Sequence, residues 1–160
     1  MKNIFFLRHA KSSWDDFALK DFDRPLSTRG IQDADLMGNF FKSKKISLDK
    51  VFSSPSKRTK ETIDHFFGKK APDIEYIDGL YHAQTEKILD ILFVIDSTAG
   101  SVMIVGHNPS IHEISEYISG SFIDKFSTCG LSWVAISEEW HQIKQGCGEL
   151  KFFFKPSQLR

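Results

Sequence analysis

Short apolar runs alternate with segments of helical periodicity along most of the chain, and this alternation constrains the fold more than any other feature. Strands that are joined through helices pair in parallel, and both faces of such a sheet are covered. The sequence therefore predicts an α/β protein with three α/β/α layers, in which a mostly parallel central sheet carries helices on both faces. The predicted strands of this sheet are Asn3–Leu7, 50–54, 74–77 and 101–105.

Helix start and stop signals place the segments between these strands. Ser27 or Thr28 can cap the first helix, and Thr85 can cap the third. Proline favours the first position of a helix and glycine its end. The four predicted helices are 29–45, Pro55 to near Gly68, 86–95 and 111–119.

The remaining segments complete one domain over residues 1–160. Residues 131–136 and 149–154 read as two further strands after irregular links. Residues 11–26 show no clean periodicity and are expected to form a long loop, a length that usually signals function.

The charge balance and the cysteine count exclude several classes of partner. Lys plus Arg and Asp plus Glu each number 21, so no global field favours nucleic acid or an anionic membrane. Cys129 and Cys147 form neither a disulfide framework nor a metal-binding spacing, and His107 and His112 lack the four-residue spacing of a helical zinc pair. The opening apolar run is also too short for a signal peptide. We therefore expect a cytoplasmic protein that binds no metal, no nucleic acid and no membrane.

Three cationic positions follow predicted strands. Arg8 and His9 end the first strand, Arg58 follows the second, and His107 follows the fourth. Because the carboxyl ends of parallel strands share one edge of the sheet, these side chains can converge in one pocket. Guanidinium groups match phosphate oxygens bidentately, so this pocket is predicted to bind a phosphoryl group.

A histidine in such a pocket can react as well as bind. Neutral imidazole is a nucleophile at cell pH, and nearby guanidinium charge disfavours the protonation of His9. Arginines also neutralise charge on the phosphoryl oxygens during in-line attack. Taken singly, each residue has an ordinary alternative: Arg8 and His9 can be an exposed strand end, Arg58 a solvated helix residue, and His107 a turn residue.

Four sequence blocks in order give the chain a resemblance to the histidine phosphatase superfamily. They are "RHAKSSWD" at 8–15, "RPLSTRG" at 24–30, "SSPSKRTKET" at 53–62 and "VGHNPSI" at 105–111, with Ala10 where the family's phosphoglycerate mutase branch has glycine. Together with the "LYHA" stretch at 80–83, the resemblance spans most of the chain. The small size and the motifs "RHAK", "DRPLSTRG" and "GHNP" are similar to the SixA-type phosphohistidine phosphatases.

The resemblance implies a phosphoglycerate mutase-like fold and a role for each pocket residue. His9 would accept the phosphoryl group and form a phosphohistidine intermediate that water hydrolyses, without a cofactor. Arg8 and Arg58 would clamp the phosphoryl oxygens, and His107 would complete the pocket, protonated when the dianion is bound. Ser12 is a candidate for an additional hydrogen bond, and Arg24 for the scaffold or the pocket rim.

The family's leaving-group acid has no evident counterpart. Larger members carry a glutamate shortly after the third strand, where this chain has His82. An alkoxide leaving group needs a positioned acid, whereas imidazole, with a pKa near 6.5, can carry its own proton. This difference favours protein phosphohistidine over alkyl phosphates. The groups that can still substitute as the acid are His82, Asp15, Asp21 and Asp23.

The expected partner is therefore a phosphohistidine-bearing protein of phosphotransfer or signalling, with phosphate as the product. About 160 residues leave a shallow site that suits a side chain on another protein's surface. Two alternatives stay open: a small-molecule phosphomonoesterase of the same superfamily, and a phosphoprotein-binding module without turnover.

Overall fold

The computed structural model describes all 160 residues, and its six strands form one mixed sheet in the order β3-β2-β4-β1-β5-β6. Strands β3, β2, β4 and β1 pair in parallel, whereas β5 is antiparallel to β1 and β6 is antiparallel to β5. The predicted α/β/α fold with a mostly parallel sheet is thus confirmed. The elements in chain order are β1 (Lys2–Arg8), α1 (Thr28–Ser43), β2 (Lys50–Ser53), α2 (Lys57–Phe67), β3 (Ile74–Tyr76), α3 (Thr85–Phe93), β4 (Ser101–Gly106), α4 (Ser110–Ser119), β5 (Leu131–Ile136) and β6 (Gly148–Phe154).

Two hydrophobic cores lie on opposite faces of the sheet, and β1 contributes to both. Ile4 and Phe6 pack against α3 and α4, while Phe5 and Leu7 pack against α1 and α2. All four side chains are fully buried. This two-sided burial explains why the strand reads as a continuous apolar run rather than an alternating one, since neither face meets water.

The helix starts agree with the sequence signals at one site and differ at two. Ser27 caps α1, because its hydroxyl oxygen accepts a hydrogen bond from the backbone N–H of Gly30 at 3.0 Å. The prediction that Pro55 begins the second helix is wrong: α2 begins at Lys57 with Ser56 as its cap. The Thr85 cap is wrong as well, since Thr85 is the first residue of α3 and its hydroxyl donates to Glu113 at 2.8 Å. The hydroxyl of Ser56 caps α2, and the carboxylate of Glu113 accepts the hydroxyl hydrogen of Thr85. Neither hydrogen bond can be read from the local sequence.

The predicted loop at 11–26 doubles back on itself beside the end of β1. The backbone N–H of Ser13 donates to the carbonyl of Pro25 at 2.8 Å, and that of Ser27 donates to the carbonyl of Lys11 at 2.9 Å. One turn of 3-10 helix, Asp21–Asp23, interrupts the loop. Because these hydrogen bonds join its two ends, the loop packs beside the residues that follow β1.

Both cysteines are free thiols. Burial raises the pKa of the Cys129 thiol well above its usual range, and nearby Asp33 acts in the same direction, so this thiol stays protonated. No helix combines the length and the apolar character that crossing a membrane requires. The cytoplasmic location stays a prediction, because neither observation identifies a compartment.

Helices α1 and α2 approach each other at Gly38 more closely than a side chain would allow. A β-carbon added at Gly38 would collide with the carbonyl oxygen of Phe66 in α2. Backbone cannot yield as a flexible side chain can, so the helices would have to separate. Glycine at this position therefore keeps α2, which carries Arg58, close against α1.

We predict that Gly38→Ala lowers the free energy of unfolding by about 1–3 kcal/mol through overpacking, although alanine is the better helix former. Urea denaturation would measure the change. Asn39→Ala is the matched control, because Asn39 is the exposed neighbour in the same helix. Equal stability of Gly38→Ala and the wild type would show that the two helices are not held at this distance.

Candidate active site

Four of the side chains singled out by the sequence lie together at the carboxyl edge of the sheet. Arg8 ends β1, His9 follows it, Arg58 lies in the first turn of α2, and His107 follows β4. The ring centroids of His9 and His107 are 5.1 Å apart, and Arg58 Nη2 lies 3.3 Å from His107 Nδ1. Arg8, His9 and Arg58 also line one cavity of about 290 Å³ together with Ser12.

The His9 ring is fixed in one tautomer by its neighbour. His9 Nδ1 lies 2.7 Å from the carbonyl oxygen of Ala10, and a carbonyl can only accept, so Nδ1 carries the hydrogen. The lone pair is then on Nε2, which makes no hydrogen bond within the protein. Backbone bonds hold the residue itself: its N–H donates to Gly106 at 3.0 Å, and its carbonyl accepts from Cys129 at 2.9 Å.

The surroundings of His9 keep the ring neutral. Burial lowers the pKa of His9 to about 3, and the charges of Arg58 and Arg8 act in the same direction. The hydrogen bond to Ala10 and the Asp21 carboxylate oppose this shift without cancelling it. At neutral pH the ring therefore presents an unprotonated nitrogen among cationic groups.

His107 has the opposite tautomer. Guanidinium can only donate, so the contact with Arg58 leaves His107 Nδ1 unprotonated. Nε2 then carries the hydrogen and donates it to Ser54 Oγ at 2.9 Å. Burial lowers the pKa of His107 to about 3, with further lowering from its electrostatic interactions with the neighbouring His9 and Arg58 side chains. The protonated His107 expected with a bound dianion stays a prediction.

Arg58 is anchored by Asp21 of the 11–26 loop. Its Nη1 donates to the Asp21 carbonyl at 2.8 Å, and its Nη2 donates to Asp21 Oδ2 at 3.1 Å. The same carboxylate accepts from the Tyr81 hydroxyl at 2.6 Å and from Arg24 Nη1 at 3.3 Å. Burial raises the pKa of Asp21, but the hydrogen bond from Tyr81 and the charge of Arg58 outweigh it and bring the pKa to about 2. Asp21 is therefore ionised.

Arg8 keeps part of its hydrogen-bonding capacity unused. Its Nη1 donates to the Phe126 carbonyl at 3.0 Å, while its buried Nε has no partner. Burial and the charge of Arg58 lower the pKa of Arg8, yet an arginine stays charged at any physiological pH. Arg8 also lines the cavity that holds His9, so its guanidinium places positive charge where an anionic ligand would bind.

Ser12 and Arg24, which belong to the 11–26 loop, line one side of the cavity. Arg24 is buried, and its Nη2 donates to Ser12 Oγ at 2.8 Å. Ser12 keeps its own hydroxyl hydrogen free to donate. The sequence analysis gave Arg24 either a scaffold role or a place at the pocket rim, and in the structure Arg24 lines the cavity.

The four candidate acids are placed differently. Asp21 is the one that hydrogen-bonds to the cluster, through Arg58. Asp15 is exposed and lines a neighbouring cavity rather than the one that holds His9. Asp23 is exposed in the 3-10 turn. His82 is exposed too, and its ring lies against Tyr81 with centroids 4.0 Å apart.

Sequence reasoning missed Tyr81 and Ser54 as parts of the site. Tyr81 donates to Asp21, and Ser54 accepts from His107. Both lie within blocks that the sequence analysis quoted, "LYHA" and "SSPSKRTKET", but neither residue type by itself suggests an interaction. The structure contains no group of three or more His, Cys, Asp or Glu side chains that could hold a metal ion.

Comparison with known proteins gives this arrangement a family. The model of the histidine phosphatase superfamily (branch 1) matches residues 4–85. An uncharacterized chloroplastic protein of Arabidopsis thaliana is 31% identical, with 88% of this chain and 70% of that protein covered. The phosphohistidine phosphatase SixA of Escherichia coli K12 is 23% identical, with 98% of this chain and 96% of that protein covered.

A solved structure has the same fold as this chain. The protein histidine phosphatase SixA complexed with tungstate superimposes with a TM-score of 0.84 at 22% identity, covering 99% of each chain. The resemblance predicted from four sequence blocks is thus confirmed. The chain belongs to the histidine phosphatase superfamily.

Proposed function

We propose that this chain is a phosphohistidine phosphatase that works through a covalent phosphohistidine on His9. One observation carries the proposal: His9 offers an unprotonated Nε2 beside two arginines, while its Nδ1–H is fixed by the Ala10 carbonyl. A nucleophile needs a free lone pair in a set direction, and a phosphoryl group needs positive charge around its oxygens. His9 and its neighbours meet both requirements.

The arginines bind the phosphoryl oxygens in this proposal. Arg8 lines the cavity with its guanidinium charge, and Arg58 is held in place by Asp21 and His107. Donors that are fixed before the substrate arrives do not have to reorganise during the reaction, and such electrostatic stabilisation is usually the largest single contribution to catalysis. Ser12 Oγ supplies an additional donor from the loop side.

The reaction proceeds in two displacements. In the first, His9 Nε2 forms a bond to phosphorus and the phosphorus–nitrogen bond of the substrate breaks. The electron pair stays on the substrate nitrogen, and because the substrate ring is protonated on its other nitrogen, it leaves as neutral imidazole. The His9 ring then gains positive character, which the Ala10 carbonyl stabilises through Nδ1–H. In the second, water attacks phosphorus, the bond to His9 breaks, and inorganic phosphate and the free ring are released.

The state of Asp21 supports a phosphoramidate substrate. A general acid at neutral pH needs a raised pKa, whereas the pKa of Asp21 is lowered to about 2 by donors that bind its ionised form. Asp21 is therefore a positioning residue for Arg58 in this proposal. An imidazole leaving group carries its own proton and needs no such acid. The relative named phosphohistidine phosphatase SixA points to the same substrate.

The partner in this proposal is a protein that presents a phosphohistidine, and the second product is phosphate. Water is the only further reactant that the two balanced displacements consume. Phosphotransfer and signalling proteins carry phosphohistidine on exposed side chains, which suits a cavity that opens at the sheet edge.

The covalent intermediate can be trapped. We expect radiolabel from a phosphotransfer domain phosphorylated on histidine to appear on the chain after rapid quenching, stable in alkali and lost in acid. His9→Ala should remove the label and lower turnover by about 10⁴-fold or more. His65→Ala is the matched control, since His65 pairs with Asp35 on the surface. Label that persists in His9→Ala would contradict the assignment.

Assays of the same protein preparation distinguish the proposed function from the two alternatives, a small-molecule phosphomonoesterase and a binding module. We expect a larger kcat/KM for the phosphohistidine domain than for sugar phosphates. The reverse preference would assign a small-molecule phosphomonoesterase. Tight vanadate binding with no turnover of either substrate would assign a binding module.

Asp21→Asn distinguishes positioning from acid catalysis. We expect a loss of about tenfold that is equal for a phosphoramidate and an alkyl phosphate, because the looser Arg58 affects both. A general acid contributes about 10²–10⁴-fold, and mainly for poor leaving groups. A loss of that size confined to the alkyl phosphate, in steady-state kinetics, would assign the acid role to Asp21.

The ring states predict an unusual pH response. Since the pKa of both His9 and His107 is lowered to about 3, neither ring should take up a proton between about pH 8 and pH 5, although free histidine titrates near 6.5. Nitrogen-15 NMR should show hydrogen on Nδ1 of His9 and on Nε2 of His107 throughout. Titration of either ring near pH 6.5 would refute the buried, neutral pair.

A further inference from the structure

Three large apolar side chains are exposed within six residues of the 11–26 loop. Trp14 is 65% exposed, Phe17 is 90% exposed and Leu19 is 38% exposed. Single exposed apolar residues are ordinary, but a cluster of them usually marks an interaction surface. We call these three residues the loop patch.

The loop patch borders the cavity that holds His9. A second cavity, of about 720 Å³, is lined by the loop and includes Trp14 and Leu19. It shares Lys11, Ser12 and Trp14 with the smaller cavity that contains Arg8, His9 and Arg58. The exposed apolar surface therefore begins at the mouth of the candidate active site and extends outward.

The loop patch is held in position although it is exposed. The Trp14 ring covers the Arg24 guanidinium, with Cζ 3.2 Å from the ring centroid. Arg24 is in turn fixed by hydrogen bonds to Ser12, Ser13 and Asp21. One face of the indole is thus occupied inside the protein, which leaves the rest of the ring facing solvent as a rigid anchor.

A tight turn presents Phe17. The backbone N–H of Ala18 donates to Asp16 Oδ1 at 2.9 Å, and that of Leu19 donates to the Asp16 carbonyl at 3.4 Å. The turn lifts the Phe17 ring away from the body of the protein, where no other residue covers it. An exposed aromatic group held by a turn loses little conformational entropy when a partner covers it.

We infer that the loop patch docks the apolar surface of the protein that carries the phosphohistidine, an inference that rests on the proposed function. His9 is 8% exposed, and a histidine side chain is short. A protein that delivers its phosphoryl group to His9 Nε2 must therefore bring its backbone to the mouth of the cavity. Its surface then covers the adjoining loop, where Trp14, Phe17 and Leu19 lie.

The overall charge of the chain does not select the partner. Its net charge is zero, so no field of the whole molecule favours an acidic or a basic protein. Burial of aromatic anchors is the usual source of affinity in such an interface. The occupant is accordingly a protein with an exposed apolar surface next to its phosphohistidine.

Phe17→Ser tests the inference with two substrates. The first is a phosphotransfer domain phosphorylated on histidine with phosphoramidate, and the second is N-phosphoimidazole, which is too small to reach the loop patch. We expect Phe17→Ser to lower kcat/KM for the phosphorylated domain by about tenfold or more and to leave the rate with N-phosphoimidazole unchanged. Phe17 does not line the His9 cavity and is 90% exposed, so an unchanged rate with N-phosphoimidazole would show that the fold and the site are intact.

Val94→Ser is the matched control. Val94 is 82% exposed and follows α3, which returns the chain to the opposite edge of the sheet, where β4 begins at Ser101. It should leave both rates unchanged. An equal effect of Phe17→Ser on both substrates, or no effect on the phosphorylated domain, would overturn the docking surface. Failure of the wild type to hydrolyse either phosphoramidate would instead overturn the proposed function, and the docking inference with it.

Discussion

The ion pair between Arg58 and Asp21 is the interaction on which the candidate site depends. Arg58 is buried, and its guanidinium joins the 11–26 loop, through Asp21, to the turn after β4, through His107. The Asp21 side chain is 43% exposed, so this pair acts mainly by fixing the position of the buried guanidinium, through one contact with the Asp21 carbonyl and one with its carboxylate. The backbone carbonyl of Arg58 also accepts from the hydroxyl of Thr62, whose oxygen accepts from the N–H of Ala10. Arg58, which contacts His107, is therefore linked through Thr62 of α2 to the backbone of Ala10, next to His9.

The parallel sheet explains why so much of this site could be predicted from the sequence. Strand β1 ends at Arg8 and His9, β2 precedes Arg58, and β4 precedes His107. These three strands pair in parallel, so their carboxyl ends meet at one edge of the sheet whatever path the intervening segments take. Strand patterns reveal nothing about a loop that folds back across that edge. The contact between Asp21 and Arg58 spans 37 residues and depends on how that loop closes, so sequence reasoning left Asp21 as one of four possible acids.

The same distinction accounts for the errors in the helices and for the states of the two histidines. Residue type alone made Pro55 plausible as the first residue of α2 and Thr85 plausible as the cap of α3. The Ser56 hydroxyl caps α2 instead, and Thr85 lies inside α3 after Gln84. The tautomers of His9 and His107 are decided by the Ala10 carbonyl, the Arg58 guanidinium and the Ser54 hydroxyl, all of which are identified only by geometry. Residue type determined which groups can react, and tertiary contacts determined in which state they are held.

Two features of the structure support the substrate that we propose. Beside the cavity, the donors around Asp21 keep its carboxylate ionised, so under the proposed function Asp21 does not protonate a leaving group. Outside the cavity, the loop patch adds an apolar surface that a small phosphorylated metabolite would not cover. An imidazole leaving group needs no such acid, and a protein substrate would cover the loop patch. The phosphohistidine protein that we propose as the substrate combines both properties, because the phosphorus–nitrogen bond and the surrounding surface belong to one molecule.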